Sequence, residues 1–132
     1  MIRACCFPLF CLTMLVIGCQ ESAPSLPPTV PVKGTVNLDG KVMAEGEIVF
    51  AMPGQPGIYL PVANGTYAGD ANIGKNKVEI RAFKANNAKS GLASDVGTKM
   101  NYLPAQYNTN SKLEANVIQS GANEFKFDVK SK

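Results

Sequence analysis

Apolar and polar residues alternate with a period of two over several short segments of the chain. This alternation is typical of β-strands that bury one face. The first such segment covers residues 30–38 and ends at Asp39-Gly40, a dipeptide favoured in tight turns between antiparallel strands. Asn64-Gly65 marks a second turn of the same kind. A further turn is expected at Ala44-Glu45-Gly46, because glycine favours turns. The other alternating segments cover residues 47–52, 58–62, 77–83, 113–117 and 124–129.

Short strands at intervals of roughly ten residues, with no helical periodicity after the N-terminal segment, predict an all-β fold. We expect a single antiparallel β-sandwich of about seven strands. The period of two places Phe50, Phe125 and Phe127 on core faces and turns Lys126 toward solvent. The buried side of each strand is therefore predicted as well as the fold class.

The N-terminal segment is of a different kind. Arg3 is followed by an apolar run from Ala4 to Ile17 that ends at Gly18, which is the charge and hydropathy pattern of a signal peptide. As a helix, these roughly 14 residues would extend about 21 Å, which is short of the roughly 30 Å hydrocarbon core of a bilayer. The segment is therefore predicted to be cleaved rather than to remain as a transmembrane span.

The end of this segment, Val16-Ile17-Gly18-Cys19, resembles the bacterial lipobox. The resemblance implies that diacylglycerol is attached to the sulfur of Cys19 and that the signal is cleaved before it. The implied organisation is a signal peptide over residues 1–18, a lipidated cysteine with a flexible proline-rich tether over 19–29, and a β-sandwich domain over 30–132.

Two alternatives to a lipobox are an ordinary signal peptide and a chance cysteine, because Cys5, Cys6 and Cys11 lie in the same apolar run. The position of Cys19 favours the lipobox, since it follows a glycine at the boundary with polar sequence. Cleavage there would leave the folded part without cysteine, and so without disulfides or thiolate metal sites. Gln20 is not the aspartate that retains many lipoproteins at the inner membrane, so the resemblance favours an outer-membrane location in the cell envelope.

Composition excludes several functional classes. The 13 Lys and Arg residues against 10 Asp and Glu give a formal net charge of +3, and the lysines are scattered singly along the sequence. Nucleic-acid binding requires clustered cations, so no nucleic-acid partner is expected. The chain has no histidine, which removes His-based acid–base catalysis and the commonest zinc and copper sites. We expect a monomer without a cofactor or a resident metal.

Residues 84–101 break the alternation and are rich in Asn, Ala, Ser, Gly and Lys. Irregular segments of this length are usually functional or disordered. Lys84, Lys89 and Lys99 are therefore candidate anion contacts of a ligand loop, and exposed tyrosines are candidate platforms for sugars. The alternative is a solvated loop with tyrosines in the core, and the absence of tryptophan favours it.

Six motifs follow one another along the chain. They are VKGTVNLDGK at 32–41, GEIVF at 46–50, NGTY at 64–67, GKNKVEI at 74–80, PAQYN at 104–108 and GANEFKF at 121–127. In this order they resemble the carboxypeptidase regulatory-like domains, which have a transthyretin-like sandwich fold. The match is closer to small bacterial lipoproteins built around one such domain, and it covers about residues 30–130. The resemblance implies an envelope or accessory module and no particular ligand.

The sequence thus predicts a non-catalytic, membrane-anchored envelope lipoprotein that serves as a structural or binding module for an envelope protein or polysaccharide. The alternative is a hydrolase or a calcium-dependent module that uses surface carboxylates. Two carboxylate pairs are candidates for that chemistry, Asp39 with Asp70 and Asp95 with Glu114. Pro104 is predicted to begin a turn, and Tyr107 to pack its ring while its hydroxyl bonds to backbone, as tyrosine corners do.

Overall fold

The computed structural model describes residues 25–85 and 99–132. The predicted signal peptide, Cys19 and Lys89 lie outside these ranges. Nine strands and one short 3₁₀ helix make up the described part, in which no helix is long and apolar enough to cross a membrane. The strands are β1 (Thr29–Leu38), β2 (Lys41–Val42), β3 (Glu45–Ala51), β4 (Ile58–Ala63), β5 (Thr66–Asn72), β6 (Gly74–Ala85), β7 (Lys99–Asn101), β8 (Leu113–Val117) and β9 (Glu124–Val129), with the 3₁₀ turn at Ala105–Tyr107.

The predicted all-β sandwich is confirmed, and the strands lie in one curled sheet. Of the nine strands, β2 and β7 have only two and three residues, which leaves seven strands of the predicted length. One pairing differs from the antiparallel expectation, because β9 runs parallel to β1, with Val36 opposite Phe127. Alternation along a strand specifies which face is buried but not the direction of its partner, so this pairing was not predictable from the pattern.

Two layers arise because the β4–β5 ladder is confined to the pair Ala63 and Thr66 beside the turn. Beyond that pair the two strands separate. One layer contains β9, β1 and β5, with β2 continuing the β5 side of β1. The other contains β4, β3 and β6, and the free side of β6 pairs with β8 near its start and with β7 near its end.

Both predicted tight turns are present. Asp39 and Gly40 have φ values of 52° and 77°, and Asn64 and Gly65 have φ values of 50° and 72°. Two consecutive positive φ values are the signature of a type I′ turn, whose twist matches that of the flanking strands. Asn, Asp and Gly tolerate this left-handed conformation better than other residues, which explains why these dipeptides connect β1 to β2 and β4 to β5.

The core lies between the layers and contains the residues that the alternation assigned to it. Phe50 is fully buried and Phe127 is 8% exposed, whereas Lys126 between Phe127 and the half-buried Phe125 is exposed. The buried side predicted for these strands is therefore confirmed. Other fully buried core side chains are Val36, Ile48, Ala71, Val78, Ile80 and Ala82.

A turn expected at Ala44-Glu45-Gly46 is replaced by an earlier bend, since β3 already begins at Glu45. Gly46 lies within the strand opposite Ala82 of β6. A Cβ atom there would meet the Arg81 carbonyl oxygen at 2.3 Å and the Met43 side chain at 2.6 Å. Gly46 is thus required for close strand approach rather than for a turn.

Asn76 fixes the connection from β5 to β6, where the chain reverses direction and crosses between layers. Its side chain is fully buried on the core face of β6, and its Nδ2 donates to the carbonyl oxygens of Asn72 at 2.7 Å and Gly74 at 2.9 Å. Gly74 has a φ of 115°, a conformation open mainly to glycine. The bend is therefore held by a side chain that satisfies two backbone carbonyls.

Candidate functional site

The β6–β7 hairpin positions two of the three predicted anion contacts. β6 continues to Ala85, where it pairs with Lys99, and Lys84 pairs with Met100. Both ends of the segment predicted to be irregular are therefore strand, and Lys89 lies outside the described residues. Lys84 and Lys99 are exposed on this hairpin, so the structure brings them to the same end of the sandwich.

Lys84 and Lys99 differ in their contacts. The Nζ of Lys84 lies 4.2 Å from the centre of the Tyr102 ring, which is a cation–π geometry. Lys99 instead pairs with the carboxylate of Glu45 on β3, and both side chains of this pair are more than half exposed. An exposed ion pair contributes about 0–1 kcal/mol. Within residues 25–85 and 99–132, Lys84 has no carboxylate partner, whereas the charge of Lys99 is partly compensated.

A groove with a volume of about 640 Å³ runs beside this hairpin along the outer face of β4, β3 and β6. We call it the outer groove. It exists because Pro61 and Ala63 on β4 are small, whereas the flanking Tyr59 is large and 56% exposed. The lining residues on the face are Glu45, Glu47, Tyr59, Pro61, Ala63, Phe83 and Lys99.

Arg81 supports the groove from β6. Its guanidinium contacts Glu47 at 3.0 Å and Glu79 at 3.3 Å, and its Cζ lies 5.8 Å from the centre of the Tyr59 ring. The register explains this arrangement, because Glu47 pairs with Arg81 and Val49 pairs with both Glu79 and Tyr59. Arg81 therefore holds two carboxylates and one aromatic ring in fixed positions across three strands.

The carboxylates of this face are matched with cations. Lys77 contacts Glu79 at 2.9 Å and also donates to the Thr109 carbonyl oxygen, and Arg81 bonds to Glu47. These ion pairs place hydrogen-bond donors and acceptors at fixed spacing beside the exposed ring of Tyr59. These are the features by which a protein surface hydrogen-bonds and stacks against a polar ligand.

The carboxylate pairs proposed for calcium or hydrolysis lie elsewhere. Asp39 follows the end of β1, whereas Asp70 pairs with Pro31 near its start, so the length of the strand separates them. Asp39 accepts a hydrogen bond from the Ser131 N–H at 2.9 Å, which lowers its pKa. Glu114 contacts Lys75 at 2.9 Å, and its proposed partner Asp95 lies outside the described residues. Within residues 25–85 and 99–132, no group of three or more Asp, Glu, His or Cys could hold a metal ion.

The tyrosines divide into packing and exposed residues. Tyr67 is buried, its hydroxyl donates to the Phe125 carbonyl oxygen at 3.1 Å, and burial raises its pKa above the ordinary value. Tyr107 packs its ring against the core, as predicted. Among the described residues, the tyrosine hydroxyl that bonds to backbone is that of Tyr67. Pro104 does precede the 3₁₀ turn as predicted.

Tyr59 was not singled out in the sequence. The available signal was the alternation that sends Ile58 and Leu60 inward and Tyr59 outward. Its proximity to Arg81 depends on cross-strand pairing through β3, which the pattern of a single strand does not report.

Comparison of the chain with protein-family models, curated proteins and solved structures finds no match. The resemblance to carboxypeptidase regulatory-like domains therefore stays a prediction. Function has to be inferred from the residues of the chain itself.

Proposed function

We propose that the protein is a lipid-anchored envelope lipoprotein whose β-sandwich is a non-catalytic module that binds an envelope polysaccharide. The lipid attachment site is Cys19, and the location is the outer membrane. Two features support the anchor: the apolar run that ends in Gly18-Cys19, and polar, proline-rich sequence directly after it. A protein partner in place of a polysaccharide is the second candidate.

The outer groove is the observation that carries the binding role. Its lining includes the exposed ring of Tyr59 and the carboxylate of Glu47. Arg81 lies beside the groove and contacts both of them across three strands. An aromatic face contacts the apolar side of a sugar ring, and the flanking charged groups bond to its hydroxyls. Lys99, which lines the groove, would add contact to an anionic substituent of the polymer.

The anchor is tested by Cys19→Ser. We expect the variant to lose incorporation of labelled palmitate and to accumulate as uncleaved precursor, because the acylated sulfur is absent. Membrane fractionation of the unchanged protein should place it with the outer membrane. A Cys19→Ser protein that still incorporates palmitate and migrates as the mature form would contradict the assignment.

The groove is tested by Tyr59→Ala with purified peptidoglycan sacculi as the probe. We expect at least about fivefold weaker sedimentation with the sacculi, the loss typical of truncating a contact residue that contributes more than 1 kcal/mol. Val42→Ala is the matched control, because Val42 is 66% exposed and lies on β2, away from the groove. Equal binding by the two variants and the unchanged protein would contradict a polysaccharide site at Tyr59.

A further inference from the structure

The two ends of the sandwich differ sharply in charge. Four segments meet at the end where β1 begins, because Thr29 pairs with Asn72, Gly74 pairs with Val117, and Ile58 pairs with Phe50. The four segments are residues 25–29, 52–58, 72–74 and 118–123, and none of these residues is charged. We call the surface that they form the uncharged end.

The opposite end is rich in lysine. Both tight turns, the β6–β7 hairpin and the residues after β9 lie there, since Leu38 pairs with Val129 and Gly46 pairs with Ala82. In the described part of the chain, only Lys99 of the lysines at this end forms an ion pair. These lysines, scattered in sequence, are Lys41, Lys84, Lys99, Lys130 and Lys132. We call this the lysine end.

Apolar groups are exposed on the uncharged end. Leu26 is 76% exposed and Ile118 is 44% exposed. Beside Leu26 lies a small, largely apolar cavity of about 180 Å³, lined by the chain before β1 and the β3–β4 loop. Its lining residues include Leu26, Pro27, Pro56 and Ile58. A surface without charges and with exposed apolar side chains loses little on leaving water.

If Cys19 is lipidated, the short chain between Cys19 and the domain limits how far the uncharged end can lie from the bilayer. Ser25 is the first described residue, six positions after Cys19. Six residues span at most about 20 Å even when fully extended. The chain just before β1 is also bound to the uncharged end, since the Ile73 N–H donates to the Pro28 carbonyl oxygen at 3.1 Å. The lipid would therefore hold the uncharged end, and no other, beside the bilayer.

We propose that the uncharged end is a membrane-docking surface that rests on the lipid headgroups and stands the β-sandwich upright on the bilayer. This proposal rests on the lipid anchor of the proposed function. Leu26 and Ile118 enter the headgroup–acyl boundary, as the apolar side chains of interfacial proteins do. β1 has 10 residues, so the lysine end is held about 30 Å further out. That separation exceeds the Debye length of about 8 Å, so the lysines do not draw the domain down onto anionic lipids.

The test uses the lipidated mature protein in phosphatidylcholine vesicles with brominated acyl chains. Because the Cys19 sulfur is acylated, a cysteine introduced elsewhere is the only free thiol of the mature chain. Gln55→Cys labels the uncharged end and Lys41→Cys labels the lysine end, each with an environment-sensitive fluorophore. We expect about half of the fluorescence at position 55 to be quenched and almost none at position 41, given an insertion of about 5–10 Å.

The contact itself is tested by adding Leu26→Glu and Ile118→Glu to the Gln55→Cys protein. Quenching should fall to the level at position 41, whereas the matched change Val42→Glu at the other end should leave it unchanged. High salt, or phosphatidylglycerol in the vesicles, should have no effect, because no charge of the docking surface is involved. Strong quenching at position 41, or none at either position in protein that carries labelled palmitate, would overturn the proposal. Protein without palmitate would instead refute the anchor.

Discussion

Phe50→Ala is expected to lower the free energy of unfolding by about 3–5 kcal/mol. Phe50 is fully buried, and its ring centre lies 6.0 Å from that of Tyr67 and 6.4 Å from that of Phe125. Truncation removes apolar burial and leaves a cavity where the two layers meet, which a packed interior fills only partly. The loss is a large share of the roughly 5–15 kcal/mol typical of a domain, and urea denaturation of protein produced from Gln20 onward measures it.

Tyr59→Ala is the matched control for this change. It deletes a similar ring from the adjacent strand, but the ring is 56% exposed and its recorded aromatic contact is with Arg81 at 5.8 Å. A surface ring with one cation–π contact contributes about 1 kcal/mol or less. Similar losses for the two variants would mean that Phe50 is not the central packing residue of the sandwich.

The strands and tight turns of this fold can be predicted from the sequence. A strand that buries one face must alternate, so residues 30–38 and the segment around Phe127 reveal both their conformation and their inward side. The tight turns are equally local, because Asn64-Gly65 tolerates the two positive φ values that a type I′ turn requires. Each of these features depends on residues within a few positions of one another.

Pairing between strands that are distant in the sequence cannot be predicted in the same way. The parallel contact between β1 and β9 joins residues about ninety positions apart, and β7 is too short for an alternation to be recognised. Gly46 was assigned to a turn because glycine favours turns, but the observed reason for it is the carbonyl of Arg81 in the next strand. That reason exists only once β3 and β6 are side by side.

The candidate site shows the same division. Lys84 and Lys99 were found because they interrupt a regular pattern, and the structure places both on one hairpin. The groove beside them depends on Tyr59, Glu47 and Arg81, which come from three strands. The uncharged end could not be predicted from the sequence either, because its four segments are distant in the chain and form one surface only in the folded protein.

Gly34→Ala is expected to cost about 3 kcal/mol or more, at the upper end of overpacking effects. Gly34 lies in β1 between Tyr67 of β5 and Phe125 of β9. A Cβ atom there would lie 1.8 Å from the Phe125 carbonyl oxygen and 2.6 Å from the Tyr67 hydroxyl oxygen. The blocking carbonyl belongs to the backbone of a paired strand, so no side-chain rotation relieves the clash, and the β1–β9 pairing must open.

Gly54→Ala separates this steric effect from the general cost of replacing glycine. Gly54 has a φ of 75° and no atom within 4 Å of the added Cβ, so only left-handed strain of about 1–2 kcal/mol is expected. Urea denaturation compares the two variants, and the Tyr67 hydroxyl reports on the site, because burial raises its pKa only while the sandwich is closed. Since the chain has four tyrosines, ultraviolet titration of Gly34→Ala should therefore detect one more tyrosine ionising in the ordinary range than titration of the unchanged protein does. A loss of stability no greater than that of Gly54→Ala, with the Tyr67 pKa still raised, would show that β1, β5 and β9 do not converge at Gly34 as described.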